Sequence, residues 1–201
     1  MGTCILVLGL HRGGTSCTAG VLWRLGIDMN PTSGITPGNT HEDKELQLLH
    51  EEAIGHWTTP VPDFERIRVR YTAAIREREH TPLWGYKDPR LNFLLPDVLD
   101  IIDCEVKIIS VYRPMWCAAQ SIVRANPGMA LDEAHRITDA YHEARGNALR
   151  IASKQCDVYP LFYDDLVNRP QLQVATLAQF LDVEVEPEAI NFIDPKLRHF
   201  K

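Results

Sequence analysis

"ILVLGLHRGGTS", Ile5 to Ser16, is the stretch whose reading decides the fold. Thr3 to Leu8 is a β-branched and aliphatic run of the kind that forms a fully buried strand. It ends at Gly9, and Thr15 to Leu25 then reads as a helix with Gly26 as its C′ residue. Strand, glycine loop and helix in this order follow the frame of a phosphate-binding loop, Gly-x-x-x-x-Gly-Lys-[Ser/Thr], here Gly9 to Gly14. Thr15 stands where that frame has lysine. The stretch from Gly9 to Ser16, His11 included, gathers backbone N–H groups and a first helical turn around an anion. Gly13 and Gly14 let the backbone approach closely, and Thr15 and Ser16 add hydroxyl donors. Arg12 supplies a positive charge from inside the loop, as a planar fork of donors suited to a tetrahedral anion.

Outward from this loop the chain alternates strand and helix. "NPTSGITPGNT" reads as loop, and a helix opening at Thr40, with Asp43 three residues on, carries Leu46, Leu49, Ala53 and Trp57 at helical spacing. A charged surface helix is expected over Asp63 to Glu79. "LWGYK" reads as a strand before "DPRL", followed by a helix from Asn92 to Ile102. Val106 to Tyr112 is the clearest central strand, and "PMWCAAQSIVRA" follows as a helix. Leu131 to Lys154 is a long amphipathic helix, "DVYPLFY" another strand and "PQLQVATLAQFL" another helix. The alternation implies α/β architecture with a central parallel sheet between helical layers. In such sheets ligands bind beyond the carboxyl ends of the strands. Three candidate segments begin there, after Leu8, after Tyr86 and after Tyr112. The 201 residues suit one domain spanning 1–201.

A net charge of −6 argues against a general nucleic-acid binder, while a local anion site remains compatible with it. Five scattered cysteines without a C-x-x-C pair imply neither a disulfide framework nor a metal site, and suit a reducing compartment. With no basic leader and no long apolar stretch, a cytoplasmic protein without a membrane anchor is expected.

"HRGGTS" resembles the 5′-phosphosulfate loop of sulfotransferases, [KR]-S-G-T-[TS] after the first strand, with Gly13 in place of the commoner serine. "VYRPMWCAAQS" places Arg113 directly after a core strand and Ser121 eight residues on. It resembles the arginine–serine motif with which the same family grips a 3′-phosphate. "WGYKDPRL", "LFYDDLVNRPQLQVATLAQFL" and "IDPKLRH" are similar to further segments of bacterial members. The resemblance implies the three-layer α/β/α architecture of P-loop proteins. It also implies 3′-phosphoadenosine 5′-phosphosulfate (PAPS) as donor, 3′,5′-adenosine bisphosphate as product, and a small-molecule or glycan acceptor bearing a hydroxyl or amine. Under it His11, Arg12, Gly13, Gly14, Thr15 and Ser16 hold the 5′ end, and Arg113 and Ser121 the 3′-phosphate. The R-K-G element that closes over this phosphate in animal enzymes is lacking, with Lys196 and Arg198 as candidate substitutes.

Catalysis of such a transfer is largely positioning plus charge neutralisation on the leaving nucleotide, a role for Arg12 and the loop amides. Lys87 is the candidate second cation, its alternative an ion pair with Asp88 or another carboxylate. Glu42 is the candidate general base and His41 the alternative; both, with Asp43, equally favour a helix N-terminus electrostatically. Two other readings stand beside this one: a P-loop nucleoside or nucleotide kinase, disfavoured by Thr15 and by the lack of a Walker B run, and a degenerate, non-catalytic nucleotide-binding module.

Overall fold

The computed structural model describes residues 2–30, 41–55 and 62–194. Four strands, β1 (Thr3–Leu8), β2 (Leu83–Lys87), β3 (Glu105–Tyr112) and β4 (Asp157–Phe162), form one parallel sheet in the order β2-β1-β3-β4. The register pairs Val7 with Lys87 on one side of β1 and Leu8 with Ser110 on the other, and Tyr112 with Phe162 across β3 and β4. β1 is flanked on both sides and covered on both faces, which is why Cys4 to Leu8 are apolar without alternation and fully buried.

Helices cover both faces. On one, α1 (Thr15–Arg24), α7 (Tyr163–Asn168), α8 (Pro170–Leu181) and α9 (Pro187–Asn191) pack against Ile5, Val7, Ile109 and Val111. On the other, α2 (Lys44–Ile54), α3 (Arg68–Arg78), α4 (Leu91–Leu99) and part of α6 (Leu131–Ala152) enclose Cys4, Leu6, Leu8, Trp84 and Tyr86. α5 (Met115–Ala125) packs with α6 over Leu10. The chain therefore leaves β1 toward one face and β3 toward the other. That divergence opens a crevice between two neighbouring strand ends, where ligands of open α/β sheets bind.

Several boundaries differ from the sequence reading. The helix expected to open at Thr40 starts at Lys44, because the Asp43 carboxylate itself accepts from the Glu45 and Leu46 N–H groups and serves as N-cap. Thr40 and Trp57 lie outside the described residues. The charged helix begins at Arg68, after a turn that Asp63 holds by accepting from Arg66 N–H, and it is not merely a surface element: Tyr71, Ala74 and Ile75 are buried. α4 covers Leu91–Leu99 and stops short of Ile102. Two short helices, α7 and α9, were not expected. α7 sits between a strand and the Arg169-Pro170 break, too short to show a period.

Candidate functional site

The site is assembled at the carboxyl ends of the strands. After β1 the chain turns through Leu10 and His11, and Arg12 adopts a left-handed φ of 60°. Gly14 follows at φ 95° as N-cap of α1. A Cβ at Gly14 would lie 2.2 Å from the Tyr163 ring, so glycine is required there by both conformation and space. Asn92, in the first turn of α4, donates its side-chain N–H to Gly9 C=O at 2.8 Å and so fixes the start of the loop. The loop's helix begins with Thr15 and Ser16, whose position at an N-terminus concentrates donors toward the crevice.

The residues picked out after β1 and β3 come together. Arg12 Nε donates to Ser121 Oγ at 3.1 Å, joining the loop to α5 across the crevice. Arg113 Nη1 donates to the Arg12 carbonyl at 2.7 Å, and its guanidinium lies 5.0 Å from the centre of the Tyr163 ring. Its Nε is buried and finds no hydrogen-bond partner among the described residues. Beneath it, the buried Arg145 donates to Val111 C=O at 2.7 Å and stacks 4.4 Å from the Tyr112 ring, bracing the end of β3. The His11 Nε2 is hydrogen bonded to Tyr141 OH of α6 at 3.0 Å. Arg198 and Lys196 lie outside the described residues.

The second group is built where β2 meets α2. Lys87 is buried and its Nζ lies 2.5 Å from Glu42 Oε1. The candidate cation and the candidate base are thus each other's partner. Asp88 turns the other way, into α2. His50 Nδ1 lies 3.0 Å from Asp88 Oδ2, and Arg90 donates to the same carboxylate from its backbone N–H at 2.8 Å and from Nη1 at 3.1 Å. Burial pushes the Asp88 carboxyl upward, but His50 and Arg90 outweigh it and hold the group well below the usual aspartate range. Arg90 Nη2 continues to Glu51 at 3.0 Å. His50 Nε2 meets Tyr71 OH at 2.9 Å, and Tyr71 OH meets Tyr86 OH at 2.7 Å. Burial pushes both phenols well above their ordinary value, so they remain protonated in this chain of contacts.

His41 does not stand beside Glu42 as an equivalent group. It is buried, and its Nδ1 is 2.7 Å from Ser16 C=O; since a carbonyl only accepts, Nδ1 carries the proton. Asp43, besides capping α2, accepts from Arg78 at 2.6 Å and from Asn30 at 2.7 Å. Burial resists the positive charge on Arg78, yet Asp43 and Glu45 hold it more tightly protonated than an ordinary arginine.

Sequence reasoning missed Tyr163, Asn92, His50 and Tyr141. For Tyr163 a signal existed: it follows the fourth strand directly, the same strand-end position that singled out Arg113. Asn92 and Tyr141 carried no local signal, because each acts through a contact with a distant segment.

No family model matches the chain, and no curated protein matches it in sequence. Solved structures do match in fold. The sulfotransferase domain from the curacin biosynthetic pathway is 15% identical, with 96% of this chain and 78% of that one covered and a TM-score of 0.60. The sulfotransferase domain of the Synechococcus PCC 7002 olefin synthase is 15% identical over 100% of this chain and 83% of that one, at 0.58. Retinol dehydratase, in a complex with retinol and PAP, is 18% identical over 94% of this chain and 62% of that one, at 0.54. The fold expected from the sequence, a parallel sheet flanked by helices in the sulfotransferase arrangement, is the fold observed.

Proposed function

We propose that the chain is a sulfotransferase that uses PAPS as donor. The observation that carries this reading is the convergence of Arg12, Ser121 and Arg113 on one glycine loop, at the point where the chain leaves β1 and β3 toward opposite faces. The residues fit such a donor. The Arg113 Nε proton lacks a partner among the described residues, and the Arg113 guanidinium lies over the Tyr163 ring that packs against Gly14 of the loop. Guanidinium groups pair with phosphate oxygens in forked geometry, so neutralisation here falls to arginine.

In this reading Arg12, Thr15, Ser16 and the loop N–H groups hold the 5′-phosphosulfate end, and Arg113 with Ser121 holds the 3′-phosphate. When bound, the donor supplies a sulfuryl group whose transfer leaves 3′,5′-adenosine bisphosphate. Lys87 exchanges part of its contact with Glu42 for the anionic group in transit, and the Glu42 carboxylate accepts the proton of the incoming hydroxyl or amine. The acceptor is a small molecule or glycan. A nucleic-acid role is not part of the reading, given the net charge of −6. A cytoplasmic location is part of the reading, as scattered cysteines without a C-x-x-C pair suit a reducing compartment; no described helix is long and apolar enough to cross a membrane.

Thermal unfolding tests the reading. At a hundred times its dissociation constant, 3′,5′-adenosine bisphosphate adds about 2.7 kcal/mol, a rise of roughly 5–10 °C for a chain of this size. Stabilisation by Mg-ATP alone would favour a kinase instead, and response to neither would refute nucleotide binding at this loop.

A further inference from the structure

We propose that His41 is a positioning residue that ties the glycine-loop helix to the Glu42 carboxylate, an inference that rests on the sulfotransferase reading above. Four observations carry it. First, His41 has a φ of 53°, a left-handed conformation that a non-glycine residue keeps only where its surroundings hold it there, and such residues cluster at functional sites. Second, the ring is 1% exposed and donates its Nδ1 proton to Ser16 C=O, in the first turn of the helix that follows the loop. Third, its other flank packs 5.8 Å from the Phe192 ring, which itself fills the space above Gly20 of α1, so the imidazole is wedged between α1 and the segment after α9. Fourth, the next residue is Glu42, bonded to Lys87 at the end of β2, and the one after is Asp43, which caps α2 and accepts from Arg78.

Three consecutive side chains thus reach four elements. His41 reaches the loop helix, Glu42 the end of β2, and Asp43 its own helix together with α3. Loop and base sit on separate pieces of chain, and the rate of an in-line transfer depends on their separation. Burial withholds the His41 ring from an acceptor and its Nδ1 proton is already committed, so the geometry points to orientation rather than proton removal. A ring that moves no proton can still control the rate by fixing where the neighbouring carboxylate stands.

The test compares His41→Gly with His41→Asn. Glycine accepts the positive φ but makes no bond to Ser16; asparagine tolerates positive φ and retains an N–H donor. Nucleotide affinity is measured calorimetrically with 3′,5′-adenosine bisphosphate. Turnover is measured as its release from PAPS with a panel of phenol, sugar and amine acceptors. Wild type and His41→Gly should bind the bisphosphate within about threefold of each other, with KM for PAPS unchanged, while kcat falls about 10- to 100-fold. His41→Asn should recover most of that loss, and if the glycine variant fails to fold, intact affinity with intermediate kcat in His41→Asn supports the inference by itself. Wild-type kcat in His41→Gly overturns it. So does equal loss of affinity and rate, which marks a merely structural role, and so does a His41→Asn variant as slow as His41→Gly, which marks the imidazole as the proton carrier. A wild-type chain that neither binds the bisphosphate nor turns over PAPS defeats the sulfotransferase reading itself, a result distinct from all of these.

Discussion

Removing either member of the Lys87–Glu42 pair should destabilise the protein strongly, and removing both should not. The two side chains are 2% and 10% exposed and their charged atoms lie 2.5 Å apart. Breaking a buried pair by deleting one partner leaves an uncompensated charge, at a cost of about 3–5 kcal/mol. For a chain of this length each kcal/mol moves the melting point by about 2–4 °C. Glu42→Leu should therefore lower it by roughly 6–20 °C, since the stranded ammonium is the more deeply buried of the two. Lys87→Met should cost less, because Glu42 keeps more contact with water. In the double variant both charges are gone, and apolar replacements of buried pairs are often neutral, so stability should return to within about 1 kcal/mol of wild type. Urea denaturation of the four proteins gives the coupling energy directly. Additive losses would refute the reasoning, because they would mean that the two groups do not compensate each other in the folded state. Turnover separates stability from chemistry: the double variant should fold, bind 3′,5′-adenosine bisphosphate and release none from PAPS.

Two further outcomes follow from the same geometry. Arg113→Ala should abolish the preference for 3′,5′-adenosine bisphosphate over 5′-AMP, a loss of at least about tenfold in relative affinity by calorimetry, or about 1.4 kcal/mol; an unchanged preference would remove Arg113 from the 3′ end. Asp88→Asn should flatten the acid limb of the stability curve. The native Asp88 carboxyl lies below its unfolded value, so its contribution is complete above about pH 4 and is lost as pH falls through the folded value; a variant whose acid unfolding tracks wild type would contradict this.

Much of the fold was legible because its signals are local. β1 announced itself as an apolar run too short for a helix and ended by glycine, and β3 as a second such run ended by Arg113-Pro114, each paired with a strand on both sides. Arg113 and Ser121 were read as a pair only through the resemblance to a family motif; in the fold Arg12 links them, its Nε donating to Ser121 and its carbonyl accepting from Arg113. The start of α2 was misplaced because two residues, Thr40 and Asp43, were each fit to cap it, and the choice was made by tertiary contacts: Asp43 also meets Arg78 and Asn30. The partner of Lys87 was left open between Asp88 and another carboxylate. The strand resolves that choice, since successive side chains leave the end of β2 in different directions, one to Glu42 and the other to His50 and Arg90. His50 looked like a surface or packing residue because nothing in its own helix shows that Tyr71, fully buried, stands opposite it.

The polar chain through Asp88, His50, Tyr71 and Tyr86 runs inside the larger apolar cluster, and its expense asks for a reason. Apolar contacts of α2, through Leu46, Leu49, Ala53 and Ile54, are non-directional and tolerate sliding along the sheet. A helix that only had to cover β2 would need nothing more. Here Glu42 directly precedes the N-cap of the same helix, and an ångström of slippage would part that carboxylate from Lys87. Two charged attachments about two turns apart, Glu42 to Lys87 and His50 with Glu51 to Asp88 and Arg90, fix its register in a way that methyl groups cannot. Apolar burial supplies the stability of this interface. The buried charges supply its alignment.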